Sequence, residues 1–238
     1  MHFRSMQPLK AARAMRELFA DPDDTQQVFE IIEAMQGPAL VRVRNRLQKS
    51  EQGRRLLAEQ PDLVPLLQDR EALRALPERS LGRAYLAFVE SEGIGADGLV
   101  EASDVERRRD AEAEYLWIRN WLRDSHDLWH TVLGYQGDLV GEAALLAFSH
   151  HQTGNIGVGM IATMAWLKIG RVTDRSIGAR DVIANGRRRA KRMAWFLEVP
   201  WHQWLARPLA DVRRDLGADR PTQYQPVRSH EVDVSLLA

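Results

Sequence analysis

The chain has 238 residues, 45% of them apolar, and its 33 basic side chains equal its 33 acidic ones. That length suits one sizeable core better than two domains, and the balanced charge supplies no field that would draw the protein to nucleic acid. There is no cysteine, which excludes disulfides, thiolate-held iron–sulfur clusters and a cysteine nucleophile, so a metal site must be built from His, Asp and Glu.

Taken in order, residues 1–20 read as a short basic amphipathic helix without the apolar core or cleavage site of a secretory signal. "DDTQQVFEIIEAM" (23–35) offers Asp24 or Thr25 as a cap and then spaces Val28, Ile31, Ile32 and Met35 for one helix face. "ALVRVRNRL" follows Gly37-Pro38, "SEQGRRLLAEQ" (50–60) opens on the cap Ser50, and "SLGRAYLAFVE" (80–90) is a further amphipathic segment. A long helix is predicted from about Asp110 to Leu133. Others follow at 139–153, 155–169, roughly 178–198 and 201–216. No stretch alternates with a two-residue period, so a sheet is not expected. The predicted fold is all-α, a single-domain bundle over residues 21–217, with 218–238 as an extended tail in which Val232, Val234, Leu236 and Leu237 are able to dock. Nothing reaches the ~20 apolar residues of a membrane span.

One stretch departs from this pattern of plain amphipathic helices: "RDSHDLWHTVLGYQGDLVGEAALLAF" (123–148). His126 and His130 are four apart and Asp127 and His130 three apart, spacings that share a helix face. Ile118 and Leu122 precede them on the same stripe, which aims the imidazoles inward. Gly134 and Gly137 allow a turn, Asp138 can cap the next helix, and Glu142 sits one turn inside it, so an antiparallel pair would return its carboxylate towards the histidines. Carboxylates facing a core are costly unless paired or bound to a cation. His126, Asp127, His130 and Glu142 are therefore candidate ligands of a divalent metal, zinc first, with iron(II) or manganese accepting a similar set. Arg123 is a candidate to orient Asp127. The plainer reading pairs Arg123 with Asp127 on the surface, exposes Glu142 and makes the histidines ordinary core side chains.

These residues carry a resemblance. HDxxH, eleven residues and then Glu is similar to the signature of the coenzyme Q protein four family of ubiquinone biosynthesis. The likeness extends through "GRRLLAEQPDL" (53–63), "ALPERSLGRAYLAF" (75–88), "GE" (141–142), "QTG" (152–154) and "WHQWLARPLADVRRDLG" (201–217). Asp124, Trp121 and Ser149 depart from the Glu, Arg and Glu usual in the family, and "GNIGVGM" replaces its Gly-Leu-Pro turn, leaving the four candidate ligands intact.

The resemblance implies a metal-dependent step on the polyprenylated aromatic precursor of ubiquinone, in which the ring carbon bearing the carboxylate loses carbon dioxide and gains oxygen. Glu142 is then the candidate base. The alternative it implies is a non-catalytic prenyl-lipid-binding scaffold that organises the other biosynthetic enzymes around a structural metal. Either role implies an apolar pocket for the prenyl tail, for which Met160, Ile161 and Met164 in "NIGVGMIATMAWL" (155–167) are candidates. An ordinary core helix packed through small residues explains the same stretch. A bilayer-soluble substrate also implies a cytoplasmic protein resting peripherally on the inner membrane. "NGRRRAKRMAWF" (185–196), with Trp195, Trp201 and Trp204, is the candidate contact. Other ubiquinone-biosynthesis enzymes and a second copy of the chain are candidate partners. Trp117, Trp121 and Trp129 read as packing. The dipeptide His-Asp also occurs in metal-dependent phosphohydrolases, but those need a further upstream histidine, and none lies between His2 and His126.

Overall fold

The structure is a computed structural model that describes residues 6–93 and 113–237. In chain order its α-helices are α1 (Pro8–Ala20), α2 (Thr25–Ala34), α3 (Ala39–Leu47), α4 (Glu51–Glu59), α5 (Val64–Gln68), α6 (Arg70–Ala75) and α7 (Leu81–Glu92). After the undescribed stretch come α8 (Ala113–Asp124), α9 (His126–Leu133), α10 (Leu139–Thr153), α11 (Ile156–Lys168), α12 (Ala179–Ala190), α13 (Trp201–Trp204) and α14 (Leu209–Leu216). No strand occurs among the described residues, so the all-α expectation holds.

Local chemistry sets several starts. Asp24 caps α2 through Gln26 N–H, Ser50 caps α4 through Gly53 N–H, and Asp138 caps α10 through Val140 N–H, each supplying an acceptor to an amide that has no partner inside its helix.

Three predicted elements are shorter than expected. The long helix to Leu133 is broken at Ser125, whose hydroxyl donates to the Trp121 carbonyl at 2.7 Å. A serine bonded back by four residues competes with the helical ladder and bends it; the first predicted residues, 110–112, lie outside the described ones. The helix expected to reach residue 198 stops at Ala190. The helix expected over 201–216 becomes α13 and α14, because Pro208 has no N–H to continue the first and is placed to begin the second.

The chain divides into two compact units. One comprises residues 6–39, 135–192 and 222–237. Its helix α10 packs against α11 and α12, and α11 also meets α2, which is paired with α1. Ala11, Ala14, Met15, Leu18 and Phe19 bury one face of α1 beside Ile31, Ile161 and Leu237. The C-terminal stretch joins this unit through buried Val227 and Leu237, with short 3-10 turns at Ser229–Glu231 and Val234–Leu237.

The other unit comprises residues 40–93, 113–134 and 193–221. There α9 packs on α7 and α14. Trp117 and Trp121 lie 5.3 Å apart between ring centroids, tilted by 31°, and donate their indole N–H groups to the Pro61 and Leu197 carbonyls. They are packing residues, as their helical spacing suggests.

Candidate metal centre

Helix α9 gathers His126, Asp127 and His130 within the second unit. The imidazoles of His126 and His130 lie 4.7 Å apart between centroids, with a ring nitrogen of each within 4.8 Å of the other. His130 is fully enclosed at 1% exposure, and its ring stacks on Phe88 of α7 at 5.2 Å with 18° between planes. Asp127 is also buried, and its Oδ1 stands 3.1 Å from Nδ1 of His126.

A carboxylate only accepts, so this bond requires the proton of His126 on Nδ1. A carboxylate bonded to one ring nitrogen is the arrangement that orients imidazole ligands in metal sites.

The helix itself is held at both ends. Ser125 accepts the Trp129 N–H on its carbonyl, and Gly134, in the left-handed region at φ 77°, donates to the His130 carbonyl at 2.8 Å. The Arg213 guanidinium from α14 donates to the Thr131 and Val132 carbonyls, both at 2.9 Å. Those are the carbonyls a helix C-terminus leaves without partners.

Arg123 meets Asp124, Nε to Oδ1 at 2.7 Å. Burial pushes the Asp124 carboxyl up, and the guanidinium beside it pulls it back. Tyr85, buried on α7 one turn before Phe88, has its phenol pushed well above the usual value by burial and then by the charge of Asp127.

In the first unit, Glu142 occupies the first turn of α10, half-buried, with its N–H bonded to the Asp138 carbonyl at 2.8 Å. Ile161 on α11 is buried in the core at 4% exposure, with Met160 and Met164 partly buried against the same cluster. Nδ1 of His150 contacts the Asn155 carbonyl at 2.8 Å, and His151 is exposed.

Residues 5–222 match the family model of the coenzyme Q (ubiquinone) biosynthesis protein Coq4. This chain belongs to that family. Among Coq4 relatives it is 29% identical over 194 residues to the mitochondrial ubiquinone biosynthesis protein of Botryotinia fuckeliana, covering 81% of this chain and 66% of that one. It is 30% identical over 192 residues to that of Yarrowia lipolytica, covering 79% and 70%. A homologue from Culex quinquefasciatus is 38% identical over 108 residues, 45% of this chain and 46% of its own. The chain thus spans only about two thirds of its fungal Coq4 relatives. A crystal structure from Nostoc punctiforme, provisionally named for ubiquinone biosynthesis, superposes with a TM-score of 0.67 at 19% identity, covering 91% of this chain and all of that one. At that identity the likeness is one of fold.

The fungal and insect Coq4 relatives are named as mitochondrial, a different compartment from the cytoplasm expected of this chain. Among the described residues, no helix is long and apolar enough to cross a membrane. Trp195 and Trp201 are buried, at 5% and 0% exposure, so they are not interfacial tryptophans; Arg187, Arg188, Lys191 and Arg192 of the same basic run are exposed.

Sequence reasoning missed Phe88, Tyr85 and Arg213 as neighbours of α9. Tyr85 and Phe88 lie three apart inside a quoted helix, which marks them as one face, but only the packing of α7 on α9 shows what that face touches.

Proposed function

We propose that this member of the Coq4 family is a metal-dependent enzyme of ubiquinone biosynthesis. It would remove the carboxylate from a polyprenylated phenol and set oxygen on the same ring carbon. His126, His130 and Glu142 are the residues that would hold a divalent metal ion, with zinc favoured and iron(II) or manganese compatible with two nitrogens and one carboxylate. The observation that carries this is the Asp127–His126 bond. With Asp127 engaged in holding an imidazole, the protein ligands would number three rather than four.

That number matters. Four protein donors would close a tetrahedral site and suit a structural ion, whereas three leave a position for substrate. When bound, the cation would supply Lewis acidity to the ring carboxylate or the adjacent phenol. The residues do the rest. Asp127 would hold the ring of His126, Phe88 would hold the plane of His130 by stacking, and the buried setting of His130 would help to exclude water from the reacting carboxylate. Glu142 is the group placed to bind, or to swing off and take a proton. Replacing carboxylate by hydroxyl removes two electrons from the ring. With dioxygen as acceptor, the acid, dioxygen and water give the phenol, carbon dioxide and hydrogen peroxide.

In this reading Met160 and Met164, unbranched and deformable, line the prenyl tail, while Ile161 stays in the core. The exposed arginines and lysine of 187–192 offer an anionic membrane its contact.

The test is paired. Metal content of the purified protein is measured by elemental analysis, and carbon dioxide release from the carboxylated prenyl phenol is followed for wild type, His130→Ala and Glu142→Gln. We expect near-stoichiometric metal in the wild type and loss of both metal and turnover in the variants. Folded, metal-free variants with full turnover would sink the reading. Metal bound tightly with no turnover in any form would leave the lipid-binding scaffold with a structural ion.

A further inference from the structure

The stretch after α14 is bonded to the turn that starts the Glu142 helix. Asp138, the cap of α10, accepts Val140 N–H at 3.0 Å and Val227 N–H at 2.9 Å on Oδ1, while the Tyr224 hydroxyl donates to Oδ2. The same hydroxyl accepts the Gln136 N–H at 3.0 Å. The Leu139 N–H donates to the Val227 carbonyl at 2.9 Å, and the Arg228 guanidinium to the Gly137 carbonyl at 2.9 Å. Every residue of the turn 136–139 is therefore tied to 224–228, 86 to 91 positions away.

A second observation is independent of the hydrogen bonds. A Cβ built on Gly141 would collide with the Tyr224 hydroxyl and the Gln136 carbonyl and come within 2.8 Å of Asp138 Oδ2. The residue immediately before Glu142 is bare so that the tyrosine can sit over it. Tyr224 lies just beyond residues 5–222, which match the family model.

We propose that Tyr224, acting through Asp138, is a positioning residue that fixes where the first turn of α10 begins and hence where Glu142 presents its carboxylate. A cap chooses which residue is first in the helix, and a fraying first turn would move Glu142, four residues from that cap, by ångströms. The inference rests on Glu142 being a metal ligand.

Cobalt(II) alone is the probe, because its visible bands report coordination and its affinity can be read by competition with a chromophoric chelator. On the full chain, Tyr224→Phe should weaken cobalt(II) binding about tenfold or more, in the range typical of groups that orient ligands, and alter the visible band. Gly141→Ala, which displaces the hydroxyl from the other side, should do the same and serves if Tyr224→Phe fails to fold. Gly157→Ala, which strains the same unit at a different place, should lower the melting temperature and leave the cobalt(II) affinity unchanged. Unchanged affinity in Glu142→Gln overturns the ligand assignment itself. Weakened binding in Glu142→Gln but wild-type affinity and spectrum in Tyr224→Phe overturns the positioning role of Tyr224 alone, as does a loss in Gly157→Ala equal to that in Tyr224→Phe.

Discussion

The carboxylate of Asp127 stands 3.1 Å from Nδ1 of His126, one residue before it on the same helix. His126 is the first residue of α9, immediately after the break at Ser125. The aspartate of the motif is thereby placed as a hydrogen-bond partner of its first histidine.

This makes Asp127 and His126 separable by mutation. Asp127→Ala is expected to weaken divalent metal binding ~10–100-fold, the usual cost of losing an orienting carboxylate. Asp127→Asn should recover part of it, since the amide oxygen still accepts from Nδ1. His126→Ala should remove binding altogether. Calorimetric titration of the apo protein with zinc checks the order, and equal losses in Asp127→Asn and His126→Ala would return the aspartate to direct ligation.

Arg213 carries a different kind of prediction. Its two bonds to the Thr131 and Val132 carbonyls close the C-terminus of the histidine helix. Arg213→Ala leaves buried carbonyls without a charged donor and should cost ~1.5–3 kcal/mol, read as a shift in urea midpoint at constant slope. Arg213→Lys should recover less than half, because an ammonium cannot reproduce the planar fork.

How much of this was legible in the sequence varies by element. Helical periodicity and caps such as Asp24, Ser50 and Asp138 are local, and local signals are readable. HDxxH was readable for the same reason: spacing alone puts His126 and His130 on one face. The break at Ser125 was not, since serine is tolerated within helices and only its bond to Trp121 reveals the bend. Arg123 lies four residues before Asp127, a spacing that sequence can read, but its Nε contact with its immediate neighbour Asp124 carries no such signal. Trp195 and Trp201 looked interfacial beside five basic residues; burial is a tertiary property, and Arg46 lies 4.2 Å over the Trp195 ring. Tyr224 gave no signal, because its partners are 86 and 88 positions away.

Tyr224 also has a signature in pH. Burial and the charge of Asp138 raise its phenol pKa above the ordinary 10.0. The unfolded chain therefore releases that proton near pH 10 while the folded chain keeps it. The stabilising contribution is complete below pH 10 and is lost as pH rises towards the folded pKa, with a slope of at most ~1.4 kcal/mol per pH unit for one proton. Unfolding free energies measured between pH 9 and 11, a range set by the reference value for tyrosine, should fall less steeply in Tyr224→Phe than in wild type. Parallel curves would show that the phenol is not held in its neutral form.

The glycines of α11 test whether this helix is packing or lining. A Cβ on Gly157 would stand 2.5 Å from the Ile31 carbonyl oxygen of α2, a backbone atom that cannot step aside as a side chain would. Gly157→Ala should therefore force α11 and α2 apart and cost ~1–3 kcal/mol, the usual range for overpacking, despite the better helix propensity of alanine. Met160→Ala and Met164→Ala, partly buried, should cost less stability. If they line the prenyl tail, they should raise KM for the prenylated substrate without changing the unfolding midpoint by as much as Gly157→Ala does. Thermal unfolding beside substrate titration separates the two roles, and a loss of stability in the methionine variants with no change in KM would assign them to the core.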